Sequence, residues 1–438
     1  MKRRELISFA ALFAIVFASR LPFLSPGFGT DEDAWWTIKA ARDLATTGAY
    51  HYSRKPGFPV LEYVYSWIWD KNPVILNGIT ALFSAVAVLF FALSVRKHRI
   101  GSPFWAGLML AFSPVVYIAS TTTMDYMWAM AFIMVSYYLL INRRYMLSAL
   151  FLGIATGCRI TSAVMMFPFI ITILAIEKEK KHWIYQSLIF ASIVLIVGVI
   201  FYYPIYTIYN KEMFKFPLGG RPIPKELSQL FGNLGFTAIL LSIFISVIIP
   251  QKNNHKRITE KVPKKYGKIW LMIVIIYTIL YLDMPHEPGY LIPALPFAIM
   301  FILPLTNKNL FKLATLCVIV SSFVDIYPNG ISDGHLLVDH KNRVKTISYT
   351  NKLIKYCKNN IQNAVIITNY YTAPLDILGS NLAKTKKIIF KYKLTSEQAP
   401  LFKSTGYTIY YLPSIKSNLK SYQLDKFSRP LPLPQSKN

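Results

Sequence analysis

The chain has 438 residues, of which 54% are hydrophobic and only 16% charged. A soluble globular chain carries about 25% charged residues, so an ordinary soluble domain is excluded. The net charge of +27 would suit a nucleic-acid binder, but the basic residues stand in short clusters between apolar runs. That placement excludes nucleic acid as a partner.

In chain order, Leu6–Leu24, Ile75–Val95 and Trp183–Tyr203 are mostly apolar runs. Each matches the roughly twenty residues a helix needs to cross a bilayer. The basic clusters Lys2-Arg3-Arg4, Arg96–Arg99, Arg143-Arg144, Lys178–Lys181 and Lys252–Lys268 follow the pattern of cytoplasmic loops. The first run lacks a small-residue cleavage site near Arg20-Leu21-Pro22-Phe23. It is expected to be an uncleaved first span with its start in the cytoplasm. Further spans are expected near 102–120, 125–141, 229–250, 269–283, 289–305 and 311–326. Residues 145–176 are read as two short spans with a turn near Gly157-Cys158-Arg159, because one span would put the later basic loops outside. The total is then eleven spans, with residues 25–71 as a first outer loop and the tail outside.

The tail, 328–438, has a different composition. Val365–Thr368, 373–380, Lys387–Phe390, 395–405 and Tyr407–Tyr411 read as strand, helix, strand, helix, strand. A small extracytoplasmic α/β domain is expected, beside a membrane domain over 1–327. The tail holds 17 basic residues against 5 acidic ones. Such a face suits anionic lipid headgroups or an anionic substrate. The fold class is therefore mainly α: a polytopic membrane helical bundle with a C-terminal α/β domain. Cys158, Cys317 and Cys357 lie too far apart to suggest a metal motif or a disulfide framework.

Acids are scarce in the membrane part, so their positions carry information. None lies in the middle of a span, where ion-coupled transporters keep them. Asp31, Glu32, Asp33 and Asp43 fall in the first outer loop, and Asp125 lies at the outer start of a span after Ser120-Thr121-Thr122-Thr123. Asp283 and Glu287 lie at an outer boundary near His286. A partly desolvated carboxylate can take a proton from an attacking hydroxyl, and nearby cations can offset charge on a departing phosphate. The same outer regions carry Arg20, Lys39, Arg42, Arg54, Lys55 and Arg159. Arg159 interrupts an apolar stretch, which fits either a paired structural arginine or a contact to an anionic substrate.

Asp31-Glu32-Asp33-Ala34-Trp35-Trp36, followed by Ala41-Arg42-Asp43 and Thr47-Gly48, resembles the first outer loop of GT-C glycosyltransferases. The resemblance is to the protein O-mannosyltransferase and aminoarabinose-transferase branch. It implies a catalytic carboxylate here. The family's spacing back from Gly48 leads to Asp33 as base, while its frequent Asp-Glu motif leads to Asp31 and Glu32. Asp also favours a helix start, so an N-cap role competes at both aspartates. Ser53-Arg54-Lys55-Pro56-Gly57-Phe58-Pro59 resembles the family's Lys-Pro-Pro segment, with Gly57 in place of the second Pro. It implies a phosphate contact by Lys55 or Arg54. Gly157-Cys158-Arg159-Ile160-Thr161 resembles the turn between two short spans, with Arg159 in place of Lys. Tyr290-Leu291-Ile292-Pro293 resembles the start of a late span, with His286 as a weaker phosphate contact. Asp125 matches a second acid that binds metal in some branches and has a structural or substrate role in others.

The resemblance implies transfer of a sugar from a polyprenyl- or dolichyl-phosphate donor to a glycan, lipid or protein acceptor, outside the membrane. No cofactor is expected to be required, although a divalent metal at Asp125 and Asp33 stays open. Trp35, Trp36, Tyr50 and Tyr52 fit membrane anchoring better than sugar packing. The rival reading is a transporter or flippase of lipid-linked saccharides without chemistry.

Overall fold

The computed structural model describes residues 3–215, 224–249, 264–283, 288–327, 330–395, 397–415 and 428–433. The membrane part is a helical bundle: α1 (Arg3–Arg20), α2 (Glu32–Thr47), α3 (Pro59–Ser66), α4 (Pro73–His98), α5 (Pro103–Ala111), α6 (Pro114–Ala119), α7 (Tyr126–Ile141) and α8 (Tyr145–Cys158). Then follow α9 (Met166–Ile176), α10 (Lys180–Tyr209), α11 (Pro224–Phe231), α12 (Asn233–Ile248), α13 (Lys264–Asp283), α14 (Leu295–Ile302) and α15 (Lys308–Phe323). Among the described residues, five helical segments are long and apolar enough to cross a bilayer unaided, and four shorter apolar helices stand beside them. This is a multi-pass membrane protein.

Local chemistry sets the helix ends. Asn72 caps α4 by accepting from the Ile75 amide, and Pro73 follows at a position that needs no donor. Arg96, Lys97 and His98 close the same helix, where cations meet the negative end of its dipole. The expected span at 102–120 is broken at Phe112-Ser113, ahead of Pro114. The break leaves the Ala111 carbonyl to the buried Arg20, whose Nη2 donates to it at 2.5 Å.

The described members of the basic clusters gather at one end of the bundle. Arg96 pairs with Glu5 at 2.8 Å, and His98 meets Tyr137 at 2.9 Å. Tyr145 donates to Glu177, so the start of α8 and the end of α9 lie together. Lys265 donates to the Ala175 carbonyl at the same end. Residues 145–176 are therefore a hairpin, with its turn at Arg159, where the backbone is extended at φ −158°. The acids of α2 and the start of α7 stand at the opposite end.

The tail forms a hairpin of β1 (Val324–Tyr327) and β2 (Gly330–Asp333), then α16 (His335–Asn360). A parallel sheet follows, in the order β4 (Ile388–Lys391), β3 (Ala364–Ile367), β5 (Thr408–Tyr411), β6 (Arg429–Pro430). Between the strands lie α17 (Thr372–Leu378), α18 (Ser380–Lys386) and α19 (Gln398–Ser404). All four residues of β3 are buried, as befits an inner parallel strand. The expected strands and helices are present, while α16 and β6 are additions. In α16 the buried positions Leu336, Arg343, Thr350 and Cys357 recur every seven residues. Two of the four are polar, which hides the helix from hydrophobic periodicity.

A candidate active site at the acidic end of the bundle

Helix α2 starts where Asp31 accepts a hydrogen bond from the Asp33 amide at 3.0 Å, so Asp31 serves as the N-cap. It ends at Gly48, whose φ of 71° suits the residue after a helix. Trp35 anchors the buried face and donates from Nε1 to the Gly29 carbonyl at 3.0 Å. Asp33 is left at the rim, with 35% of its side chain exposed.

The loop 50–58 is built around Glu62, a fully buried carboxylate on α3. Glu62 accepts from the Ser53 amide at 2.7 Å, the Ser53 hydroxyl at 2.6 Å and the Phe58 amide at 3.1 Å. Tyr50 donates its hydroxyl to the same group. Burial pushes the Glu62 carboxyl up, against the pull of these hydrogen bonds. The loop so closed carries Arg54 and Lys55. Gly57 within it has φ 103°, and a Cβ there would lie 2.9 Å from both Ile205 Cδ1 and the Tyr50 hydroxyl oxygen. Proline, with φ near −65°, does not fit this position.

Arg54 Nε lies 3.3 Å from Asp33 Oδ2, and Arg54 Nη2 donates to Asp125 Oδ1. Arg159 Nη1 donates to Asp125 Oδ2 at 2.5 Å. The result is a row, Asp33–Arg54–Asp125–Arg159, in which Asp125 is 1% and Arg159 6% exposed. The Arg159 guanidinium stands over the rings of Tyr126 and Tyr290, 4.3 and 4.5 Å from their centroids. Burial raises Asp33 above the usual carboxylate range. Arg54 opposes the shift, Asp31 and Asp125 add to it, and Arg159 opposes it more weakly. Burial also pushes Glu32 up to about 7, with the Trp36 indole working against it and Asp33 and Asp31 adding to it.

The structure thus brings together Asp31, Glu32, Asp33, Arg54, Asp125, Arg159 and Tyr290. Lys55 is half-buried and makes no hydrogen bond or ion pair among the described residues; its charge is felt at Glu212. His286 and Glu287 lie outside the described residues. Asp43, Lys39 and Arg42 face the tail instead, where Arg42 and Lys39 reach Asp376 on α17 at 2.8 and 3.4 Å. Arg20 grips Ser120 at 3.1 Å. Tyr50 is used by Glu62, and Tyr52 packs on Tyr209 with ring centroids 4.2 Å apart.

Two contributors escape the sequence reading. Glu62 left one sign, a carboxylate amid the apolar Pro59–Tyr65 run, where a charge needs partners. Arg343 on α16 donates to the Thr121 carbonyl and the Phe23 carbonyl, both at 2.9 Å. It ties the tail to the loop that leads into Asp125, and nothing in its local sequence marks it.

The metal reading meets an obstacle. Arg54 occupies the space between Asp33 and Asp125, so a hard cation shared by those two acids would have to displace a guanidinium. No group of three His, Cys, Asp or Glu side chains among the described residues could hold a metal ion. Among the described residues, the side chains at the site do not fit one.

Beside the row lies a cavity of about 380 Å³. Val115, Ile118, Ala119 and Ile292 give it apolar walls, and Asp31 and Asp339 add carboxylates.

The arrangement of bundle, outer helices and tail matches a solved structure, that of ArnT from Cupriavidus metallidurans in the apo state. The TM-score is 0.59, over 95% of this chain and 94% of that one, at 10% sequence identity. The chain shares the fold of that structure. No protein-family model and no curated protein sequence matches the chain. At this identity the likeness concerns the fold alone.

Proposed function

We propose that this protein is a membrane glycosyltransferase that moves a sugar from a polyprenyl- or dolichyl-phosphate donor to an acceptor hydroxyl. The reaction takes place on the extracytoplasmic side, where the acidic end of the bundle and the tail would lie. The observation that carries the reading is the Asp33–Arg54 contact, a rim carboxylate with a raised pKa beside a fixed guanidinium. The fold shared with ArnT supports the same reading.

In the proposed reaction the acceptor oxygen attacks the anomeric carbon in one displacement. Asp33 takes the hydroxyl proton, and the lipid phosphate leaves with the electron pair of the broken C–O bond. Lys55 meets the phosphate charge, which a preorganised site stabilises better than water does. Arg159 is assigned to holding Asp125, because its guanidinium is buried and already paired. Asp125 in turn holds Arg54 in place. The prenyl chain would lie along the outer half of α10, where Tyr203, Tyr206 and Ile208 are exposed beside the 50–58 loop. No step passes through a metal ion.

The test is sugar transfer in vitro from a panel of lipid-phosphate sugars, comparing wild type with Asp33→Ala and Asp31→Ala. Transfer by wild type and its loss in Asp33→Ala is the expected result. Full transfer by both variants would refute the assignment of the base. Movement of a lipid-linked saccharide across vesicles without donor consumption would favour the transporter reading instead.

A further inference from the structure

At the basic end of the bundle, α9 and α13 enclose a cavity of about 490 Å³. Each helix gives it one stripe. Ile171 and Leu174 come from α9, with Ala175 beside them. Lys265, Lys268, Ile269 and Met272 come from α13, at the i, i+3, i+4, i+7 spacing of a single helix face. The two lysines stand in the first turns of α13 and Met272 lies deeper, so the groove runs from charge to hydrocarbon. Lys265 also opens the candidate span Lys265–Leu282, which sets the lysines at the membrane surface. Leu174 is 47% exposed on an apolar helix, so the groove opens toward lipid.

The positive charge here is not balanced from within. None of the described lining residues is Asp or Glu. Glu177, just past the end of α9, is turned into a separate cavity, where Tyr145 donates to it and Arg143 and His182 lie 3.9 and 3.7 Å away. Lys268 makes no hydrogen bond or ion pair among the described residues. Lys265 donates to the Ala175 carbonyl and stands 5.4 Å from the centre of the Tyr266 ring. That bond fixes Lys265 at the head of the groove and uses one of the three protons an ammonium can donate. Two ammonium groups above an apolar groove match a ligand that has an anionic head and a hydrocarbon chain.

We infer that this groove binds an anionic phospholipid of the leaflet at the basic end. Its phosphate meets Lys265 and Lys268, and an acyl chain lies against Ile171, Leu174 and Met272. Basic pockets between spans near a membrane surface are where acidic head groups settle. The site is remote from the proposed sugar-transfer site and does not depend on that reading. The fold connects the two ends: Tyr277, further along α13, donates to the Thr161 carbonyl at 3.1 Å, next to the Arg159 turn. A lipid that clamps α9 to α13 therefore braces the segments that frame Arg159.

The test uses the full chain purified in a neutral detergent, with phosphatidylglycerol or phosphatidylcholine of the same acyl chains added. Bound lipid is counted by native mass spectrometry, and the melting temperature is followed in parallel. Wild type is expected to retain about tenfold more phosphatidylglycerol, the scale of two surface lysines acting on one anionic head. It should also melt higher with that lipid, because a ligand of the folded state stabilises it. The double variant Lys265→Gln/Lys268→Gln should lose the preference and the thermal shift. A charge-matched pair at the same end, Lys97→Gln/Arg144→Gln, should keep both. Met272→Trp fills the chain path and should cut retention with both lysines in place. Should the double variant fail to fold, Lys268→Gln alone is expected to lower the preference about threefold. Equal retention of the two lipids by wild type overturns the inference, and so does an equal loss in the charge-matched pair. Displacement of the lipid by glycerol phosphate, which has no chains, also overturns it, since the site would then take a soluble anion.

Discussion

Arg159 and Asp125 meet at 2.5 Å with both side chains almost wholly out of solvent. They come from different helices, one at the turn of a hairpin and the other at the head of α7. Asp125 also holds Arg54, so one buried carboxylate balances two guanidinium groups. Its removal would leave both cations without their strongest partner. Asp125→Ala is expected to cost about 3–5 kcal/mol of stability, the usual scale for breaking a buried pair. The melting temperature of the purified protein reports it. Adding Arg159→Met to that variant should recover part of the loss, since one stranded charge is gone. An unchanged melting temperature in Asp125→Ala would show that the row does not hold the bundle together.

Asp33 acts in its ionised form in the proposed chemistry. Its pKa is raised, so activity should fall as pH drops through a value above the usual carboxylate range. Arg54 is the main charge pulling the pKa down, while Asp31 and Asp125 push it up and Arg159 opposes them weakly. Arg54→Gln should therefore move the acid limb of kcat/KM to higher pH. Asp33→Asn should reduce kcat about 10²–10⁴-fold across the whole range, the span typical of a lost general base. A limb that stays in place in Arg54→Gln would separate the titrating group from Asp33.

Glu62 touches no substrate in the proposed reaction; it is a positioning residue. Four donors converge on it, and they set the conformation of the loop that carries Arg54 and Lys55. Glu62→Ala strands these buried donors, each worth about 1–3 kcal/mol when unsatisfied. Glu62→Gln keeps the shape and loses only part of the bonding. The expected outcome is a rise in KM for the lipid-phosphate donor that exceeds the fall in kcat, milder in Glu62→Gln than in Glu62→Ala. Equal losses of kcat and kcat/KM in both variants would instead place Glu62 in the chemical step.

Gly57 provides a steric check on the same loop. Its φ of 103° is open to glycine and costly for other residues. Gly57→Ala should lose about 1–3 kcal/mol of stability from backbone strain, and its Cβ would press on Ile205 and Tyr50. Gly57→Pro, which restores the Lys-Pro-Pro spelling, should be worse than Gly57→Ala in thermal stability. A proline variant more stable than the alanine one would contradict the positive φ at this position.

Much of this protein can be read from its residues in order. Apolar length and the placement of Arg96–Arg99, Arg143-Arg144 and Lys178–Lys181 locate the helices and sort their ends, because both signals are local along the chain. The same reasoning divides 145–176 into a hairpin at Arg159, where Glu177 returns to Tyr145. The strand and helix pattern of 364–411 is legible for the same reason. Asp31 and Asp33 illustrate the limit. Residue type admits both as caps and both as bases, and only the fold gives Asp31 the Asp33 amide and leaves Asp33 facing Arg54.

Contacts between distant segments were closed to the sequence. Arg54 reads as a phosphate contact and Arg159 as either a paired arginine or a substrate contact, and tertiary packing commits both to Asp125, 71 and 34 residues away. Arg343 lies 222 residues from the Thr121 that it binds, and α16 hides because Arg343 and Thr350 interrupt its buried stripe. The physical reason is common to all of them. Hydrophobic burial and helix ends depend on neighbours a few positions apart, whereas the state of a charge depends on which groups the packed bundle sets against it.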